Sequence, residues 1–115
     1  MSFLGILKII VALATAATGL LALVKPTAVY GFTGLIAEGP RGISEIRAIF
    51  GGLFIALGIA PFIFGASAYQ VLGIGYLAIA LVRLVSIFLD KSTASSNLIS
   101  LGIEIVFGII LILRG

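Results

Sequence analysis

The sequence predicts an all-α membrane protein in which four transmembrane helices form an up-down-up-down bundle. Hydrophobic residues make up 62% of the 115 residues, charged residues make up only 10%, and the mean hydropathy is +1.39. Soluble domains carry about 25% charged residues, and a fold this small cannot hide so much apolar surface from water. The apolar residues also lie in four continuous runs, unlike the alternating pattern of a transmembrane barrel.

Each of the four runs is close to the length that a helix needs to cross the hydrocarbon core, about 20 residues. The predicted spans are residues 3–24, 44–64, 66–89 and 97–113. The first run is longer than the apolar part of a signal peptide, so we expect it to remain as a span. Residues 1–115 are therefore predicted to form a single transmembrane domain in the plasma membrane.

The connections between the predicted spans are unequal. Spans two and three meet at Gly65, whereas residues 26–43 and the polar residues 90–96 form longer connections. Both longer connections lie on one side of the membrane, which we call the loop side. The loop side carries more Lys and Arg than the opposite side, so the positive-inside rule favours a cytoplasmic loop side with both termini outside.

The composition excludes several classes of function. The chain has no Cys and no His, which removes disulfides, the usual zinc sites, His- or Cys-ligated haem and the common nucleophile–base pairs. The net charge of +3 comes from seven scattered basic residues, which form no stripe for a nucleic-acid backbone. We therefore expect no catalytic residues, no metal ligands, no cofactor and no nucleic-acid partner.

Three ionisable residues within the spans are predicted to converge near the loop side. Arg83 lies six residues before the end of span three, and Glu104 lies seven residues after the start of span four. At 1.5 Å per residue, both lie about 10 Å inside the membrane. Because a lone charge in hydrocarbon is costly, we expect Arg83 and Glu104 to form a hydrogen-bonded pair, with Arg47 close enough to join it.

Polar residues extend this cluster along two helix faces. Ser86 and Asp90 share a face with Arg83, whereas Asn97 and Ser100 share a face with Glu104. The candidate site comprises residues Arg47, Arg83, Glu104, Ser86 and Ser100. Three interpretations stay open: an ion-pair network that only holds the bundle together, a pocket for a headgroup or small anion favoured by two arginines against one glutamate, or an ion pathway.

Rows of small residues indicate close contact between helices. These rows are Ala12, Ala16 and Gly19 in span one, Gly52, Ala56 and Ala60 in span two, and Gly75 and Ala78 in span three. Small residues at such spacing let helix backbones approach each other within lipid. They predict packing within the bundle or, alternatively, self-association.

The chain also resembles a known family over nearly its whole length. The residues that carry the resemblance are Glu45-Ile-Arg47-Ala48-x-x-Gly51-Gly52-Leu53, then Arg83-Leu-Val-Ser86 with Asp90, then Glu104. They are similar to an uncharacterised bacterial and archaeal family of four-span membrane proteins, a domain of unknown function of about this length. The resemblance implies the four-span fold and the importance of the three charges, and it brings no activity.

The leading hypothesis from the sequence is a non-catalytic membrane protein, either an accessory or scaffold subunit or a lipid-binding module. Its expected partners are membrane lipids, with other membrane subunits or a second copy as further possibilities. The alternative is a homo-oligomeric transporter or channel that uses Glu104 and Arg83. A small lipid-modifying enzyme with Glu104 as acid or base is the weakest hypothesis, because the chain offers Glu104 no His or Cys partner.

Overall fold

The computed structural model describes residues 2–114, and within them the chain is an all-α four-helix bundle. Four helices are long and apolar enough to cross a membrane. They are α1 (Phe3–Val24), α3 (Gly39–Phe64), α4 (Ala66–Leu89) and α5 (Ser95–Ile112), with a short helix α2 (Tyr30–Thr33) between the first two. The first and third agree with the predicted spans, whereas α3 begins five residues and α5 two residues before the predicted starts.

Local sequence explains where the long helices begin. The Ser2 hydroxyl accepts a hydrogen bond of 3.0 Å from the Gly5 amide and so caps α1. Pro40 occupies the first turn of α3, where its missing N–H costs nothing. Between α3 and α4 the chain reverses at Gly65, whose φ of +80° and ψ of −144° suit only glycine. The reversal is therefore a single residue long.

The long connection predicted between spans one and two is largely helical. Residues Pro26–Val29 form a 3₁₀ turn that leads directly into α2, and only residues 34–38 are irregular. Val29 is fully buried and packs with Ala22 and Ile46 in a small apolar core at the loop side. Helix α2 then reaches α5, so the connection covers the loop-side end of α1.

Two pairs of helices form the closest contacts in the bundle. A Cβ added at Gly58 of α3 would lie 2.6 Å from the amide nitrogen of Ala16 and 2.7 Å from the carbonyl oxygen of Ala12, both in α1. In the second pair, a Cβ at Gly73 of α4 would lie 3.0 Å from the carbonyl oxygen of Gly108 in α5. Helix α3 packs beside α4, and α5 meets α1, so the two pairs close into one bundle.

The small residues predicted for helix packing are partly the ones that the structure uses. Ala12, Ala16 and Gly19 of α1 do face α3, as expected. The predicted row in span two does not pack within the bundle, because Gly52 and Ala56 are exposed and Gly51 and Gly58 make the contact with α1. The small residues of span three, Gly75 and Ala78, are also exposed, and Gly73 takes the packing position on α4.

Helix α3 contains a π-helical stretch, Ile46–Leu53, at the start of its contact face. Hydrogen bonds in a π-helix join residues five apart, which differs from the spacing of four in an α-helix. Ile46 and Gly51 are five apart and both buried. Gly51 and Gly58 are seven residues, or two α-helical turns, apart, so the contact face continues with α-helical spacing beyond Gly51.

Candidate functional site

Arg83 and Glu104 form a two-pronged ion pair between α4 and α5. The Arg83 Nε donates to Glu104 Oε1, and its Nη2 donates to Oε2, both at 2.7 Å. The expected contact is therefore present. This parallel geometry matches the planar guanidinium to the planar carboxylate, and it is among the strongest forms of charged hydrogen bond. It fixes the register of α4 against α5 near the loop side.

Asn97 extends the pair towards the connection between α4 and α5. Its side-chain oxygen accepts a 2.7 Å hydrogen bond from Nη1 of Arg83. Its amide group donates to the backbone oxygen of Ser92 at 2.9 Å and to the Ser92 hydroxyl at 3.0 Å. Asn97 thus joins the ion pair to the short polar loop and holds that loop against the helices.

The two members of the pair differ in exposure. Glu104 is buried, with 11% of its side chain accessible, whereas the Arg83 side chain is 30% accessible. The carboxylate therefore lies on the protein side of the guanidinium, and Arg83 forms the exposed surface of the pair. Because the charges are matched at hydrogen-bonding distance, the pair is neutral as a unit, and its desolvation costs less than that of either charge alone.

The predicted serines have different environments. The Ser86 hydroxyl donates a 2.6 Å hydrogen bond to Asp90, one turn further along α4. Ser100 is half-buried and forms no side-chain hydrogen bond with the other described residues. Ser86 thus belongs to the polar surface near Arg83, and Ser100 does not join the network.

Arg47 does not join the pair, which corrects the sequence-based expectation. It is exposed and forms no ion pair with any residue in the range 2–114. Glu45 lies inside α3, which begins earlier than predicted, and pairs with Arg41 on the exposed surface. Without Arg47, the excess positive charge that favoured an anion pocket is absent from the site.

A second polar contact lies deeper in the bundle and was not predicted. The hydroxyls of Thr15 in α1 and Tyr76 in α4 are hydrogen-bonded, and Thr15 also donates to the Val11 carbonyl. The Tyr76 ring packs edge-on against Phe107, with centroids 5.5 Å apart. The available signal was that Tyr76 lies seven residues, or two turns, before Arg83 and so shares its helix face.

Two grooves run along one face of α4 and meet at Ile79. The first is apolar, encloses about 190 Å³, and lies between α3 and α4 with Thr15 and Tyr76 at its inner wall. The second has a volume of about 540 Å³ and is open at the surface. Its lining is mixed: Arg83, Ser86, Ser92 and Asn97 are polar, and Ala78, Ile79 and Val82 are apolar. Glu104 lines neither groove.

The two grooves lie end to end on α4 because of helical spacing. Their shared wall on α4 carries Val71, Gly75, Ile79, Val82 and Ser86, a series at steps of three and four that forms one stripe. Gly75 has no side chain, and a Cβ placed there meets no atom within 4 Å. The missing side chain therefore keeps this part of the groove open. Along this stripe, the apolar groove lies next to the second groove, which opens beside Arg83 near the loop side.

The described residues contain no group of three or more acidic, His or Cys side chains that could hold a metal ion. No curated protein and no solved structure matches the chain. A family model does match, over residues 3–114, and its description is a domain of unknown function, DUF4345. This agrees with the resemblance inferred from the Arg-Ala-x-x-Gly-Gly element and the later charges. The chain belongs to the DUF4345 family.

Proposed function

We propose that this small membrane protein is a non-catalytic lipid-binding module of the plasma membrane. In this proposal, one amphiphile lies along α4 with its apolar tail in the groove beside Gly75 and its polar end beside Arg83. The single observation that carries the proposal is that the two grooves share Ile79 and lie along one stripe of α4. Lipid-binding sites combine an apolar channel with a few fixed polar groups in the same way.

The charged pair supports a binding role in preference to a catalytic one. Both carboxylate oxygens of Glu104 accept hydrogen bonds from Arg83. A general base needs a carboxylate oxygen within reach of a substrate proton, and Glu104 does not line the groove. Arg83, in contrast, lines the polar opening with its side chain partly exposed. The residue available to an occupant is therefore a hydrogen-bond donor.

Blocking the groove without disturbing the bundle tests this proposal. Gly75→Leu places a side chain in the groove at a position where added atoms meet no neighbour. Gly102→Leu is the matched control, because Gly102 is also helical, exposed and free of neighbours, and it lies on α5 away from the groove. Both substitutions should raise helix propensity by a similar amount, up to about 1 kcal/mol.

The measurement is native mass spectrometry of the full chain extracted from its own membranes in a mild detergent. We expect wild type and Gly102→Leu to retain the same lipid mass, and Gly75→Leu to lose most of it. Circular dichroism would verify that all three proteins are equally helical. Equal lipid retention by Gly75→Leu and Gly102→Leu would show that the groove does not bind the lipid.

A further inference from the structure

We infer that the occupant of this groove has an uncharged polar end bearing hydroxyl or carbonyl oxygens. The inference rests on the proposed function and names the chemical class of the ligand. Its basis is the charge and hydrogen-bonding state of the polar opening. The class follows from the balanced charge of Arg83, the negative charge at the edge of the groove, and the N–H groups of Arg83 that remain free.

The Arg83 charge is already balanced within the protein. Glu104 takes two of its N–H groups with both carboxylate oxygens, each at 2.7 Å. An anionic headgroup would therefore meet a neutral pair with a carboxylate close behind the guanidinium. Arg47, the cation expected to provide an excess positive charge, is exposed on α3 and lines neither groove on α4. No basic residue in the range 2–114 other than Arg83 lines these grooves.

The edge of the opening is also unfavourable for an anion. Ser86 lines the polar groove and donates its hydroxyl hydrogen to Asp90, at 2.6 Å. The Asp90 carboxylate thus lies one hydrogen bond from the groove wall and adds negative charge there. Lys91 follows in the exposed loop and does not line the groove. Like charges at such distances repel at the low effective dielectric of a membrane interface.

The opening nevertheless offers hydrogen-bond donors. A guanidinium has five N–H donors, and Glu104 and Asn97 together accept from three of them in the bonds described above. The two remaining N–H groups belong to a side chain that lines the groove and is 30% accessible. Uncharged acceptor oxygens can satisfy these donors without opposing the Glu104 carboxylate. Diacylglycerols and long-chain isoprenoid alcohols both have this chemistry and an apolar tail.

The test compares neutral and anionic lipids with the same purified full-length protein in detergent. The probes are dioleoylglycerol, geranylgeraniol and dioleoylphosphatidic acid, each titrated separately and measured by native mass spectrometry. We expect at least one neutral probe to bind about fivefold or more tightly than phosphatidic acid, from the charge at the opening. The stronger of the two neutral probes identifies the source of the oxygen-bearing headgroup. Equal or tighter binding of phosphatidic acid would overturn the inference.

A charge variant makes the test specific to the ion pair. Glu104→Gln keeps an acceptor oxygen beside Arg83 but removes the negative charge, so the preference should shift at least fivefold towards phosphatidic acid. Asp90→Asn changes the charge at an exposed position and should shift the preference in the same direction even if Glu104→Gln folds poorly. An unchanged preference in Asp90→Asn and in folded Glu104→Gln would refute the charge argument.

The proposed function fails in a different way from this inference. If Gly75→Leu and Gly102→Leu bind every probe as wild type does, the groove is not the binding site, and both statements fall. If Gly75→Leu alone loses binding but the wild type prefers phosphatidic acid, the groove binds lipid and only the uncharged headgroup is refuted.

Discussion

Breaking the ion pair from each side should destabilise the protein unequally. Arg83→Leu leaves the buried Glu104 carboxylate, 11% accessible, without either of its hydrogen-bond donors. Removing one partner of a buried pair costs about 3–5 kcal/mol, and we expect a loss of folding free energy in that range. Glu104→Leu leaves a guanidinium that still bonds to Asn97 and is 30% accessible. Its flexible stem can move the charge towards water, so we expect a smaller loss of about 2 kcal/mol.

The double variant separates direct interaction from two independent effects. Leucines at both positions leave no unpaired charge, and replacement of a buried pair by apolar groups is often nearly neutral. We therefore expect the double variant to recover most of the summed single losses, which amount to about 5–7 kcal/mol. The assay is equilibrium unfolding in mixed micelles, with sodium dodecyl sulfate as the denaturant and helicity as the signal.

An exposed ion pair of the same chain provides the control. Arg41 and Glu45 form an i,i+4 pair on α3 whose side chains are 80% and 55% accessible. Solvent screens such a pair strongly, so the corresponding double-mutant cycle should give little coupling. Additive losses for Arg83 and Glu104, or equal coupling in the two cycles, would refute the reasoning from burial.

Two further predictions concern the interior of the bundle. Gly58→Ala should cost about 1–3 kcal/mol, because its Cβ would lie 2.6 Å from the Ala16 backbone and would force α1 and α3 apart. Gly52→Ala, where nothing lies within 4 Å, should be neutral or slightly stabilising in the same unfolding assay; equal losses would place the wrong glycine at the interface. Tyr76→Phe should cost only about 0.6 kcal/mol, because Thr15 keeps its hydrogen bond to Val11. A loss above about 2 kcal/mol would mean that this hydroxyl contact stabilises the bundle far more than membrane hydrogen bonds usually do.

The helices and one ion pair were predictable because each depends on a local or symmetric property of the sequence. Span limits follow from the length of apolar runs, and α4 ends where the polar loop begins. The Arg83–Glu104 contact follows from equal depth on two adjacent antiparallel helices. An unpaired charge in hydrocarbon is also costly enough to exclude most arrangements in which Arg83 and Glu104 do not meet.

The position of Arg47 was not predictable from the same considerations. Depth placed it near the pair, but rotation about the axis of α3 decides which way a side chain projects. The π-helical stretch Ile46–Leu53 changes that rotation, and the sequence carries no periodic signal for it. Gly52 was chosen for its step of four to Ala56, whereas the interface uses Gly51, which lies seven residues before Gly58.

The grooves could not be predicted because they depend on how far apart helices lie. Gly75 appeared in the sequence as a packing residue, yet it marks an open space beside α4. In a membrane protein, a small residue can let two helices pack closely or can leave a space beside its helix. Only the position of the neighbouring helix distinguishes these two cases. Tyr76 was overlooked because a tyrosine in an apolar span gives no indication of its hydrogen-bond partner.

Helix α3 resembles an α-helix that has received an inserted residue. Each π-type hydrogen bond encloses one residue more than an α-type bond, and the stretch Ile46–Leu53 contains the whole Arg-Ala-x-x-Gly-Gly element. A related chain one residue shorter here can form a regular α-helix and still present Ile46 and Gly58 to α1. Loss of one residue after Arg47 would therefore leave Ile46, its neighbour Arg47 and Gly58 close to the directions they have now. Alignments of the family that contain a one-residue gap in this stretch are then compatible with an unchanged bundle.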